Sequence, residues 1–228
     1  MSRNIRRDIK TLAYVLRRTN YEEADRILNL ITPEGKIVAI AKGARRSKSK
    51  LAGGTQILTL AQLNLHFGES GMGIVTGVRV IKFYGRILTN LRKMELITTV
   101  LKKIDIAAES SDSPEYFKIV DQVMKALDGD GDERLIMIWF KMNFAKAVGE
   151  QVNMYYDAVG EKLSEEKRYE WDEAREVLVE KEDGRVDGNV IKLIRLVLTL
   201  DLDTLMRIKI TNEQFDEALK IARTVAHE

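Results

Sequence analysis

The sequence predicts a two-domain α+β chain: a small five-stranded barrel, then an α-helical domain interrupted by a small insert. Three observations carry this expectation. Up to about Phe83 apolar residues alternate with period two, as on half-buried strands, and from Gly85 onward the period lengthens to that of a helix. Between Gln151 and Gly188 both patterns lapse into a polar, irregular stretch. The expected boundaries are therefore 1–83 and 84–228, with 151–188 as the insert.

The first strand starts near Asp8, with Leu12, Tyr14 and Leu16 alternating against Thr11, Ala13 and Val15. Ala24 to Ile31 and Lys36 to Ala41 form a hairpin across Thr32-Pro33-Glu34-Gly35, where Pro at the second position and Gly at the fourth suit a type I turn. Leu58 and Leu60 alternate in one phase, and Leu63, Leu65 and Phe67 in the other. An extra residue near Ala61-Gln62 would reconcile the two phases, and such a bulge bends a strand. Ile74 to Val80 supplies the fifth strand. Five short, bent strands suit a small closed barrel, of which the OB-fold is the common nucleic-acid-binding form.

In the second half, Ile87, Leu88, Leu91, Met94, Leu101 and Ile104 fall on one face of a long helix. Ser113-Pro114-Glu115 opens a second helix, with Ser as N-cap, that buries Phe117, Val120, Met124 and Leu127. A third runs from Asp132 to Val148 and stops at Gly149, with Trp139 in the core. Asn189–Leu200 and Thr211–Ala226 supply two more, the latter opening on a capping box between Thr211 and Gln214. Within the insert only Tyr169–Trp171 and Val177–Val179 read as strands.

Composition removes several chemistries. The chain has no cysteine, which excludes disulfides, thiolate nucleophiles and cysteine-based zinc sites. Its 2 histidines, His66 in a strand pattern and His227 beside the C-terminus, are better explained by packing or exposure than by catalysis. No apolar run approaches a membrane span, and the start of the chain lacks the apolar stretch of a signal peptide, so the expected location is cytoplasmic. Gly68-Glu69-Ser70-Gly71-Met72-Gly73 lies between two antiparallel strands and reads as a hairpin loop rather than a nucleotide loop. Glu22, Glu23 and Asp25 are expected to pair with Arg17, Arg18 and Arg26 rather than to hold a metal. Tyr155-Tyr156 could stack on bases, but in an acidic half of the chain packing is the better expectation.

The most telling feature is electrostatic. Lys42-Gly43-Ala44-Arg45-Arg46-Ser47-Lys48-Ser49-Lys50 places five cations in nine residues with no acid among them. Charge at that density favours a polyanion, although an isolated run of this kind also serves as solvated surface on a mobile loop. The net charge of +2 hides a division: residues 1–100 hold 18 Lys+Arg against 7 Asp+Glu, and residues 101–228 hold 19 against 28. A basic half joined to an acidic half fits a nucleic-acid surface attached to a protein-docking domain.

Thr19-Asn20-Tyr21-Glu22-Glu23-Ala24-Asp25-Arg26, then Thr32, Gly35, Ala41-Lys42-Gly43-Ala44-Arg45, Lys48-Ser49 and Leu51, resemble the N-terminal domain of the RecO recombination mediators. The helical half agrees more loosely, through Ile191-Lys192-Leu193-Ile194-Arg195-Leu196. The resemblance implies an OB barrel joined to a helical domain with a ribbon-like insert, cysteine-free in this chain. It implies no enzyme and no cofactor, but binding of single- and double-stranded DNA, annealing of strands coated by single-strand-binding protein, and RecA loading with RecR. Many family members carry four cysteines in the insert, whereas Tyr156 to Gly160 and Gly184 to Gly188 here have none, so a metal is not expected and packing must hold the insert.

The expected DNA-binding residues are Arg17, Arg18, Arg26, Lys42, Arg45, Arg46, Lys48 and Lys50. Lys192 and Arg195, flanking apolar helix positions, are the candidates for the acidic tail of single-strand-binding protein. An RNA-binding or ribosome-associated OB-fold adaptor is the competing class, because a barrel with a basic loop does not choose between nucleic acids. A carboxylate-metal enzyme is the weakest reading.

Overall fold

A computed structural model describes residues 7–68, 71–150 and 153–225. The chain divides into two compact units, Met1–Asp128 and Gly129–Glu228. The barrel strands end at Phe83, but two helices pack with them, so the first unit extends beyond the barrel.

The barrel strands are β1 (Arg7–Tyr21), β2 (Asp25–Thr32), β3 (Gly35–Ala41), β4 (Thr59–Phe67) and β5 (Gly73–Phe83). They run in the order β1-β2-β3-β5-β4 and close where β4 pairs with β1. Every pairing is antiparallel except β3 with β5, which meet in parallel at Ala39↔Gly73 and Ile40↔Ile74. The interior is filled by Ala13, Val15, Leu28, Leu30, Ala39, Ala41, Ala61, Leu63, Leu65 and Val75. Small alanines at four of these positions let strongly bent strands approach one another.

The strands lie where period-two alternation predicts them, and packing decides which face enters the barrel. In β1 the barrel core takes Ala13 and Val15, while Tyr14 is buried on the opposite side against Phe117. The irregularity expected near Ala61-Gln62 lies across the ladder. β4 pairs with β1 without interruption from Leu60 to Phe67, and its partner β5 carries the extra residues, Ile81 opposite Leu60-Ala61 and Thr76 opposite Asn64-Leu65. Leu58 does not belong to the strand: it sits before it at φ 64° and is buried, which is why its phase disagrees with Leu63 and Leu65. The hairpin forms as expected, with Thr32 paired to Gly35. The Thr32 hydroxyl accepts from the Glu34 N–H and donates to the Gly35 carbonyl, and Gly35 adopts φ 122°, open to glycine at little cost.

After a 3-10 turn at Gly85–Thr89, helix α1 (Leu91–Ser110) begins at an Asn90 N-cap, later than the expected start. Leu88 and Leu91 are exposed, whereas Ile87, Leu101 and Ile104 are buried as expected, and Leu96, Ile97, Val100 and Ala108 complete the buried face. Helix α2 (Pro114–Asp128) follows the expected Ser113-Pro114 start, with the Ser113 hydroxyl accepting from the Glu115 N–H.

Two polar networks tie these helices to the barrel. Asp105 of α1 accepts from Arg17 of β1 at 3.0 Å, from Asn29 of β2 at 2.9 Å, and from the Lys36 ammonium of β3 at 2.6 Å. Burial raises the Asp105 pKa, but the bonds from Lys36, Asn29 and Arg17 outweigh it and hold the carboxyl below its ordinary value. In the second network the Tyr14 hydroxyl donates to Asp121 at 2.8 Å and so accepts from Tyr84 at 2.9 Å. Burial, reinforced by these bonds, pushes the Tyr14 pKa up, so the phenol stays protonated.

The second unit contains α3 (Glu133–Val148), capped by Asp132 and ended by Gly149 in the left-handed region, as expected. Trp139 is buried and its indole N–H donates to the Leu200 carbonyl. Strands β6 (Tyr169–Asp172) and β7 (Val177–Glu180) pair within the insert, and α4 (Gly188–Thr199) starts at an Asp187 cap. The short α5 (Leu202–Leu205) was not foreseen, because four residues are too few for a hydrophobic period. In α6 (Asn212–Val225) the capping box forms reciprocally: the Thr211 N–H donates to the Gln214 side chain, and the Gln214 N–H to the Thr211 hydroxyl. Among the described residues no helix is long and apolar enough to cross a membrane.

Candidate nucleic-acid interface

The basic run connects β3 to the 3-10 turn Gly53–Thr55, and it has a defined shape. Consecutive turns close from Ala44 N–H to the Ala41 carbonyl, from Arg46 to Gly43, from Ser49 to Arg46 and from Ala52 to Ser49. Ala44 is buried in the barrel core, the Arg45 N–H donates to the Ala24 carbonyl, and the Gly43 N–H donates to the Asp25 carboxylate. A short apolar side chain thus anchors the loop while Lys42, Arg45, Arg46, Lys48 and Lys50 are all exposed. Such charges are held in place, unlike those of a freely moving tail.

Arg18 and Arg26 extend this surface across β1 and β2, facing each other's neighbourhood near the pair Asn20↔Arg26. Burial lowers the Arg26 pKa, and the nearby guanidiniums of Arg18 and Arg45 lower it further. Arg26 Nε and Nη1 are screened from solvent and have no hydrogen-bond partner. Three like charges gathered around unsatisfied donors favour an anion.

The neighbouring acids do not neutralise this cluster. Among the described residues, Glu22, Glu23 and Asp25 form no ion pair with Arg17, Arg18 or Arg26, contrary to expectation. Asp25 is taken by Gly43, and Glu22 offers its carbonyl to Arg45. Arg17 turns to Asp105 yet leaves its side chain 61% exposed, and Arg18 donates to Gln56.

The residues singled out in the second unit have other contacts. The Arg195 Nε donates to the Met154 carbonyl at 2.9 Å, and its guanidinium lies over the Tyr155 ring. Lys192 pairs with Glu165 at 3.7 Å, both groups largely exposed. Tyr155 and Tyr156 are half-exposed rather than packed away. In the first unit His66 bonds Asp8 at the barrel surface, while His227 lies outside the described residues. Gly68 to Gly73 spans the turn between paired β4 and β5, with Glu69 and Ser70 outside the described residues.

The insert is held by Met154, Tyr169, Trp171, Leu178 and Val186, all buried, and by the Asp157 carboxylate. Asp157 accepts the N–H groups of Val159 and Glu161 at 3.0 and 2.8 Å, closing a turn in which Gly160 has φ 86°. Asp157, Glu161 and Glu180 approach within 4.8 Å, and the Lys167 ammonium stands 2.7 Å from Glu180 and 3.9 Å from Glu161. That lysine supplies the countercharge. Gly184 is required by packing, since a Cβ there would fall 2.4 Å from the Tyr169 carbonyl oxygen. Asp157→Ala should therefore cost about 1–2 kcal/mol in thermal unfolding, by analogy with loss of a helix cap, whereas a chelator should leave the wild-type transition in place.

A closed barrel of order β1-β2-β3-β5-β4 with a fixed cationic loop defines an OB-type binding domain, here followed by a helical domain with a ribbon-like insert. The family descriptions "Recombination protein O N terminal" and "Recombination protein O C terminal" match residues 5–84 and 100–227. The chain belongs to the RecO family. It is 28% identical over 212 residues to a "DNA repair protein RecO" of Listeria monocytogenes, covering 89% of this chain and 82% of that protein. A protein of the same name from Dehalococcoides mccartyi is 27% identical over 218 residues, covering 92% and 86%.

Proposed function

We propose that the protein is a DNA repair and homologous recombination mediator that works by binding and exchange, without catalytic groups. It binds single- and double-stranded DNA, anneals complementary strands coated by single-strand-binding protein, and assists RecA loading together with RecR. The observation that carries the reading is the guanidinium cluster of Arg18, Arg26 and Arg45, with unsatisfied Arg26 donors, beside the anchored loop of exposed cations. Lys42, Arg46, Lys48 and Lys50 continue that surface, and Arg17 adds a largely exposed guanidinium at its edge. Such groups track phosphates without reading bases. Two strands neutralised on one surface repel each other less, which favours annealing.

The acidic second unit is the docking side for protein partners, with Lys192 and Arg195 the cations offered to the acidic tail of single-strand-binding protein. A salt titration tests the DNA surface. If about five cations each displace a counterion from a single strand, log affinity falls against log salt with a slope of about −3.5. A slope near zero would refute this reading. Competition between DNA and RNA of one sequence separates it from an RNA-binding adaptor, which would retain the RNA.

A further inference from the structure

We propose that the apolar groove between the barrel and α1 receives the unstacked bases of a single strand whose phosphates run over Arg18, Arg26 and the 42–50 loop. This deepens the reading above and rests on it. The groove holds about 530 Å³, with walls that include Leu16, Ile57, Leu58, Phe83, Leu88 and Leu101. Phe83 and Leu88 are 52% and 56% exposed, so apolar surface faces water at its mouth.

Charge and continuity choose the occupant. The cations lining the groove are Arg17, Arg18 and Lys102, while Asp105, the acid among its lining residues, is already engaged by Lys36, Asn29 and Arg17. The rim therefore suits a polyanion. Arg18 belongs to both places: it bonds Gln56 at the groove and stands near Arg26 in the guanidinium cluster. A strand held there by its phosphates has bases that need an apolar wall, and the Phe83 ring is presented at the end of β5. Bases of a duplex are already paired and stacked and do not enter. The groove thus gives a preference for single strands that phosphate-tracking cations alone do not supply.

The test uses the full chain with Phe83→Ala and, separately, Leu88→Ala, both at exposed positions where folding should survive. Affinity for a single-stranded oligonucleotide should fall about tenfold with Phe83→Ala, while duplex affinity stays within about twofold and the salt slope is unchanged. Leu88→Ala should move in the same direction by less. Equal loss on both DNAs, or loss on neither, overturns the inference. Phe83→Trp adds a direct readout: its fluorescence, taken as the difference from wild type, should be quenched by oligo(dT) and not by duplex. An unquenched indole overturns the inference, as does Phe83→Ala weakening an acidic apolar peptide while sparing the single strand. If wild type itself shows no salt-dependent DNA binding, the proposed function fails; if only the Phe83 variants behave as wild type, the groove alone fails.

Discussion

Arg45→Glu combined with Arg46→Glu should lower affinity for single-stranded DNA by roughly a hundredfold or more, by the same factor for every sequence. Both side chains are exposed, and the contact of Arg45 with the Glu22 carbonyl is long at 3.4 Å, so the melting transition should stay near that of wild type. Removing two phosphate contacts should also flatten the salt slope by about 1.4, while the introduced carboxylates repel the strand. Fluorescence anisotropy over a range of salt checks both numbers. A change in affinity that depended on sequence would mean that the loop reads bases.

The second large effect is on stability. Asp105→Ala should destabilise the full chain by about 3–5 kcal/mol in urea denaturation, because it removes the carboxylate shared by Arg17, the buried Asn29 amide and Lys36, and leaves the Lys36 ammonium, whose side chain is only 8% exposed, with the Asp105 carbonyl and the exposed Glu109. Replacing the pair together, Lys36→Met with Asp105→Leu, should recover part of that loss, since the desolvation cost leaves with both charges while the buried Asn29 amide still loses its acceptor. The acid limb follows from the same residue. Its folded pKa is depressed, so its contribution is complete above the unfolded value, near 4, and disappears as pH falls through the lower folded value. Wild type should therefore lose stability below about pH 4 more steeply than the Asp105→Ala variant.

Local chemistry made much of the fold legible. The Pro33-Glu34 hairpin, the Ser113 and Thr211 helix starts, the Gly149 stop and the β6–β7 pair each depend on a few adjacent residues, and each formed. Other features depend on segments far apart in the chain. Tyr14 and Ala13 alternate as any strand does, and only the packing of α2 decides that tyrosine faces the helices. The extra residues of the β4–β5 ladder lie on β5, although the phase change that betrays an irregularity is written in β4, because Leu58 has left the strand. Of the candidate interface, the 42–50 loop was plain from its charge. Arg17 was legible as a cation but not as a partner of Asp105, 88 residues away. Gln56 and Phe83 gave no sequence signal, since an amide after a loop and an aromatic at a strand end are ordinary until α1 forms a wall beside them.

The Asp157 turn bears on the conditions under which such a protein would work. Oxidants that break DNA also convert zinc-bound thiolates to disulfides and sulfenic acids, releasing the metal and the fold it holds. A carboxylate accepting two backbone N–H groups has no such chemistry, and with 0 cysteines in the chain no thiol elsewhere can substitute as a target. Loss of fold through thiolate oxidation is thus closed to this insert, whose remaining oxidisable sulfur side chain, Met154, is fully buried.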